Sequence, residues 1–341
     1  MSMSPLSFDV MLEALRSVGE TTRLRILALL AEAELTVSDL TDILRISQPV
    51  ISRHLKVLSD AGVIERFREG SWAFFRLASN APTAGLVQSL VRHLDAADPV
   101  IVHDRARLEG VRIGRASQAQ EYFSRYAAEW DQIRTLHVAD ERVERAIVEA
   151  LGSRPISSLL DVGTGTGRIL ELLGQQTHRG VGVDLSRDML AIARTKLAAA
   201  LLPHCGVQLG DLYDLPFGPK TFDVVVVHQI LHLLDDVPRA IAEAARVLSP
   251  GGRLLVVDFA PHDQEVLRDE HAHRRLGFAT DTVSGWMVSA GLEVVLERTI
   301  APDPTTDGRI AISLWLGRSA VSLLQRSPSL LKKSSLQGAL R

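Results

Sequence analysis

Leu159-Leu160-Asp161-Val162-Gly163-Thr164-Gly165-Thr166-Gly167 runs from an apolar strand into a glycine turn that opens a helix. Glycines at alternating positions let the backbone pass through positive φ and approach a ligand with no Cβ in the way. A dinucleotide loop spaces its glycines G-x-G-x-x-G and points a helix N-terminus at a pyrophosphate. The pattern here is Asp-x-Gly-x-Gly-x-Gly. A carboxylate ahead of the turn repels a pyrophosphate and suits a cationic ligand. On this stretch alone, an ordinary tight strand-to-helix turn accounts for the glycines as well.

The following sequence narrows the choice. About 20 residues on, Gly180-Val181-Gly182-Val183 ends in Asp184, where an acid at a second strand tip can accept both hydroxyls of a ribose, or simply cap the helix starting near Ser186. A third strand, Val207 to Leu209, ends in Gly210-Asp211-Leu212. Phe222-Asp223-Val224-Val225-Val226-Val227-His228 reads as a fully buried parallel strand. Leu248 to Asp258 reads as a helix end, a Pro-Gly-Gly turn and a fifth strand. A helix over Thr282 to Ala290 and strands near Leu292 to Ile300 and Arg309 to Leu316 close the region as an antiparallel pair.

These motifs, in this order, resemble the class I S-adenosylmethionine (SAM)-dependent methyltransferases of the type 11 kind, over residues 118–317. The resemblance implies a Rossmann-like domain with a seven-stranded mixed sheet that binds SAM or its demethylated product, S-adenosylhomocysteine. It implies that Asp161, Gly163, Thr164, Gly165 and Gly167 cradle the cofactor, with Asp184 on the ribose and Met189 beside it. Asp211 then accepts from the adenine amino group, and the Leu212 N–H meets a ring nitrogen. Methyl transfer needs positioning more than an invariant catalytic set. The candidate bases lie at and beyond the fourth strand tip: His228, expected at the methyl position, then Gln229, His232, Asp235 and Asp236. His228 can equally orient the cofactor or cap the next helix. Glu270-His271-Ala272-His273-Arg274-Arg275 lies where acceptor contacts are usual, and Tyr122, Tyr126 and Trp130 either form a flap over the cofactor or pack the core.

The first third differs in character. Glu20 to Leu30 is an amphipathic helix with Thr21 or Thr22 available as its cap, and a second helix spans Val37 to Leu44. In Ser47-Gln48-Pro49-Val50-Ile51-Ser52-Arg53-His54-Leu55-Lys56, Ser47 suits an N-cap and Pro49 the first turn, and the helix ends at Gly62. Val50, Ile51, Leu55 and Leu58 share one face; Gln48, Ser52, Arg53, His54 and Lys56 share the other. Such side chains suit a DNA major groove, Gln pairing with adenine and Arg with guanine. Val63 to Leu77 alternates around a Glu-Gly-Ser turn, a two-stranded wing whose Arg66, Arg68 and Arg76 can reach phosphates.

This block resembles the winged helix-turn-helix of the ArsR/SmtB repressors, most specifically in Ser47 to Leu55, which implies operator DNA as a partner. Where relatives place thiolates, this chain has Thr36 and Ser38, so soft-metal sensing there is excluded. His93, Asp95, His103 and Asp104 lie about where such repressors hold another metal with Asp and His, or else form a solvated face, and no metal is expected. The stripe through Leu86, Leu90, Val91, Leu94 and Val102 either dimerises the chain, as in such repressors, or packs within the monomer.

The 341 residues suffice for two cores, and a net charge of −3 confines DNA binding to a local basic surface. The lone Cys205 excludes an intrachain disulfide, and with no long apolar run the expectation is a soluble cytoplasmic chain without a membrane partner. The expected α/β organisation is a winged helix over 1–80, dimerisation helices and a linker over 81–117, the methyltransferase domain over 118–317, and a mobile basic tail over 318–341. The expected function is an ArsR-type homodimer whose operator binding follows methyl-group status. The alternative is a methyltransferase of an unknown small molecule with an autoregulatory DNA-binding domain.

Overall fold

The computed structural model describes residues 5–69, 71–79, 81–131, 133, 140–302 and 310–320. The N-terminal domain begins with α1 (Phe8–Val18), α2 (Thr21–Leu30), a short strand β1 (Leu35–Thr36), α3 (Val37–Leu44) and α4 (Gln48–Asp60). Strands β2 (Ile64–Glu69) and β3 (Trp72–Leu77) form the wing, with β1 pairing on β3. Glu20, and neither threonine, caps α2, accepting from the Arg23 N–H at 3.0 Å. Thr36 and Asp39 form a reciprocal capping box on α3. Ile51, Leu55 and Leu58 turn one face of α4 into a core shared with Ile26, Leu40 and Phe75. Each such side chain stabilises the domain by about 1.5–3 kcal/mol through burial.

Next come α5 (Ala84–Arg92) and α6 (Pro99–Tyr126), a single helix of 28 residues. The linker expected to end at residue 117 is instead continuous helix. Gly110 and Gly114 sit within α6, where nothing lies within 4 Å of an added Cβ. Tyr122 to Tyr126 are its last turn, followed by a short 3-10 turn, Ala127–Glu129.

The C-terminal domain holds α7 (Asp140–Leu151), β4 (Ile156–Val162), α8 (Arg168–Leu173), β5 (Thr177–Asp184), α9 (Arg187–Ala199), β6 (Cys205–Leu209) and β7 (Phe222–His228). It continues with α10 (Val237–Arg246), β8 (Leu248–Phe259), α11 (Val266–His271), α12 (Thr280–Ser289), β9 (Leu292–Ile300) and β10 (Ile312–Ser319). The seven strands are ordered β6-β5-β4-β7-β8-β10-β9. The first five run parallel, and β10 lies antiparallel between β8 and β9. Alternation along β7 sends Val224 and Val226 into one core layer and Val225 and Val227 into the other. Arg318 and Ser319, expected in the tail, close β10 instead; residues 321–341 lie outside the described residues. No helix among the described residues is long and apolar enough to cross a membrane.

Candidate functional site

The order of β4 and its neighbours places the first glycine turn at the carboxyl end of the sheet's middle, where open α/β sheets bind ligands. Gly163, Gly165 and Gly167 hold φ of 71°, 51° and 86°, a path closed to most side chains. The N–H groups of Gly163 and Thr164 both donate to the Val183 carbonyl at 2.9 Å, tying the turn to β5. A Cβ on Gly163 would come within 3.0 Å of Ile230. One cleft gathers Asp161, Gly163, Thr164, Gly165, Asp184, Met189 and His228, with Phe123 and Trp130 at its rim. Gly167 ends the turn as the N-cap of α8. A continuation of the cleft is lined by Asp184, Asp211 and Leu212, and its opposite wall is α6, through Ile113, Ala116, Gln120 and Phe123. Of the aromatic run, Phe123 and Trp130 thus face the cleft, while the Tyr122 hydroxyl lies 2.7 Å from His271 Nδ1.

The carboxylates are more committed than the sequence suggests. Asp184 Oδ2 accepts the Gly165 N–H at 2.8 Å and Oδ1 accepts the Ser186 N–H at 2.8 Å. With the Leu185 N–H also directed at it, the carboxylate is largely committed to backbone donors and keeps part of its acceptor capacity for a ligand hydroxyl. Burial pushes Asp184 up, against the pull of these backbone donors. Asp211 Oδ1 accepts the Tyr213 N–H at 2.8 Å.

Asp161 is 1 % exposed and accepts from the Thr164 hydroxyl at 2.6 Å. Burial pushes it up to about 7, with the Thr164 bond opposing and the Asp184 charge adding to the shift. Above that value the carboxylate is ionised at a cost in folding stability; below it the carboxyl keeps a proton that a cationic ligand must displace. Affinity for a cationic ligand is therefore expected to rise about tenfold per pH unit up to neutrality and then level off. Calorimetric titration from about pH 5 to pH 8 measures this, and Asp161→Asn should flatten the profile.

On the N-terminal domain, Ser47, Gln48, Ser52, Arg53 and Lys56 are exposed along α4, as are Arg66 and Arg68 on the wing. Ser47 occupies the N-cap position without a side-chain bond to the helix, leaving its hydroxyl for other partners. His54 is turned inward, its Nδ1 3.5 Å from Glu20. Arg76 pairs with Glu65 and Glu34 and is withdrawn from the outer face. Asp104 is buried in a two-pronged pair with Arg25, both contacts at 2.7 Å, and so does not belong to a solvated face.

A model for bacterial regulatory proteins of the arsR family matches residues 20–66, and a methyltransferase domain model matches residues 160–256. The chain joins an arsR-family regulatory domain to a methyltransferase domain. The methyltransferase domain is 33 % identical over 145 residues to a demethylmenaquinone methyltransferase of Symbiobacterium thermophilum, covering 41 % of this chain and 58 % of that protein. It is 30 % identical over 180 residues to a ubiquinone/menaquinone biosynthesis C-methyltransferase of Geobacter sulfurreducens, covering 50 % and 67 %. The chain spans about half the length of several curated relatives it matches. A SAM-dependent methyltransferase structure from Thermotoga maritima is similar at 23 % identity, covering 59 % of this chain and 99 % of that one, with a TM-score of 0.47. The domain is a SAM or S-adenosylhomocysteine site. The glycine turn and the buried acids at its rim fit that group, whose sulfonium supplies the methyl.

The sequence reading missed the join between the domains. Arg275, expected near a methyl acceptor, instead reaches Glu34 at 2.5 Å and Glu69 at 2.7 Å. Arg268 meets Glu69 at 3.2 Å and stacks over Trp72 at 4.8 Å. Arg274 and Arg115 both bridge Asp39 and Asp235. Asp235, Arg274 and Arg275, expected near the chemistry, are thus taken up by the domain join, and no local signal in the sequence pairs them with Glu34, Asp39 or Glu69.

Proposed function

We propose that this chain is a DNA-binding regulator whose hold on its operator is set by SAM or S-adenosylhomocysteine in the cleft. The observation that carries this reading is α6. Its first half belongs to the arsR-type core, through Leu108, the Arg25–Asp104 pair and a 3.1 Å bond from Arg107 to the Ile43 carbonyl. Its second half is a wall of the cofactor cleft. A helix is stiff over this length, so a ligand that shifts one half moves the other. A second route runs from Asp235, at the cleft rim, through Arg115 to Asp39 of the α3 capping box. Leu90 and Val91 of the expected dimer stripe pack against the arsR-type core, and exposed Phe8 and Leu15, two turns apart on α1, offer apolar surface for a homodimer instead. The dimer would present two α4 helices to half-sites about 34 Å apart.

Coupling requires that the ligand bind the DNA-compatible and incompatible arrangements with different affinity. Fluorescence anisotropy of DNA from upstream of the coding sequence, at fixed salt, is expected to show about a tenfold change in affinity when either ligand is added. Arg53→Ala should weaken DNA binding with SAM affinity unchanged. DNA affinity indifferent to both ligands would reject the regulatory reading and leave a methyltransferase joined to an independent DNA-binding domain.

A further inference from the structure

The amino ends of the sheet strands, across the sheet from the cofactor cleft, gather three arginines. Arg253 on β8 and Arg318 on β10 are register partners in an antiparallel pair, and Arg154 comes from the turn between α7 and β4. Residues opposite one another in such a pair share a face of the sheet with Cβ atoms about 5 Å apart, and like charges there destabilise it. All three line one open recess of about 490 Å³. Gly251, at φ of 77°, and Gly252 border the same recess without a side chain to fill it.

The positive charge in the recess is poorly neutralised. Arg253 Nη1 donates to the Leu151 carbonyl at 2.6 Å, at the end of α7, and its other N–H groups have no partner among the described residues. Arg154 and Arg318 are exposed, and neither side chain has an ion-pair or hydrogen-bond partner among the described residues. The acid in the lining, Asp223, already accepts the Ser158 N–H at 3.2 Å. Burial holds the Arg253 pKa below its ordinary value, and the charges of Arg318 and Arg154 act in the same direction against Asp223. Residues 321–341 contain no acid that could compensate. Guanidinium groups present paired N–H donors that match the oxygens of a phosphate, so several around one recess suit that group.

We propose that this recess binds the phosphate group of a small phosphorylated molecule, with Arg253 as the inner donor and Arg154 and Arg318 flanking it. The bound dianion offsets the repulsion between Arg253 and Arg318 and ties β8, β10 and the turn after α7 together. The N-terminal domain joins the opposite, carboxyl ends of the strands, through Asp235 after β7 and Arg275 after β8. That placement favours a free phosphate ester over the DNA backbone as the source. The site is independent of whether the cofactor cleft is filled.

The test titrates the full chain with inorganic phosphate against chloride at constant ionic strength, following heat and the midpoint of urea unfolding. Saturable binding of phosphate, absent with chloride, is expected in the wild type. Arg154→Gln and Arg318→Gln, both at exposed positions, should each weaken it about tenfold through the loss of charge-assisted hydrogen bonds. Without phosphate, Arg318→Gln should be at least as stable as the wild type, because a like-charge pair is gone. Phosphate at a concentration that saturates the wild type should raise its unfolding midpoint and move that of Arg318→Gln far less. A general salt effect would shift both alike. Affinity for a DNA duplex should be the same in the wild type and both variants. A loss of duplex affinity in the variants would assign the arginines to the nucleic-acid backbone and overturn the proposed source. The proposal is also overturned by the absence of saturable phosphate binding, or by equal phosphate affinity in the variants.

Discussion

Arg275→Ala is expected to cost about 3–5 kcal/mol of the stability that joins the two domains. The guanidinium is largely buried, paired with Glu34 and Glu69 and lying over the rings of Phe74 and Phe67 at 5.0 and 5.6 Å. Burial works against its charge, but the two glutamates more than offset this and hold its pKa above the ordinary value. Truncation removes the cation that bridges the two partly buried carboxylates and leaves a cavity between them, with Arg76 the remaining cation for Glu34 and Arg268 for Glu69. The loss therefore exceeds that of an exposed pair, which is worth about 0–1 kcal/mol. Calorimetry should show one unfolding transition in the wild type and two in the variant, since the domains keep separate cores. Glu69→Gln made in the Arg275→Ala background should cost less than in the wild type, because the bridging cation is already gone. A single transition shifted by less than about 1 kcal/mol would contradict this account of the interface.

The parts of the fold legible in sequence are those whose signal is local. Asp161 to Gly167 shows its turn because only glycine follows that φ path, and β7 shows burial on both faces because Val224 to Val227 leaves no polar position. The α4 helix was readable because one face packs and the other is exposed over consecutive turns. The linker expected before residue 118 is the middle of α6 for a related reason. Its apolar face turns from the arsR-type core to the cofactor cleft near Ile113, so no single periodic stripe runs through. Helix formation depends on the backbone bonds and tolerates that change of partner. His232 was recognised as a candidate base, but Asp258 looked like the end of a strand. Their pairing depends on adjacent strand tips 26 residues apart in sequence. The arginine clamp spans still longer separations, 206 residues for Arg275 and Glu69, and composition carries no trace of it.

Asp184→Ala is expected to weaken SAM and S-adenosylhomocysteine binding about 100-fold, or ~3 kcal/mol. Its two oxygens fix the glycine turn from one side and the start of α9 from the other, through the Gly165 and Ser186 N–H groups. Removing them leaves two backbone donors without their acceptor at the cleft wall and removes the lone pairs available to ribose hydroxyls. Hydrogen bonds to a charged acceptor contribute about 1.5–3 kcal/mol each, which sets the size of the effect. Asp184→Asn should lie between wild type and alanine, because its single carbonyl oxygen can satisfy one backbone N–H while its amide opposes the other. Calorimetric titration gives the affinities, and an unchanged value in Asp184→Ala would remove Asp184 from the cofactor site. The same variant separates binding from regulation. Its α4 helix and wing are untouched, so its DNA affinity without ligand should match the wild type. At ligand concentrations that saturate the wild type, its DNA affinity should stay at the ligand-free value. A variant that still responds at those concentrations would mean that the DNA-binding domain answers to a ligand held somewhere other than this cleft.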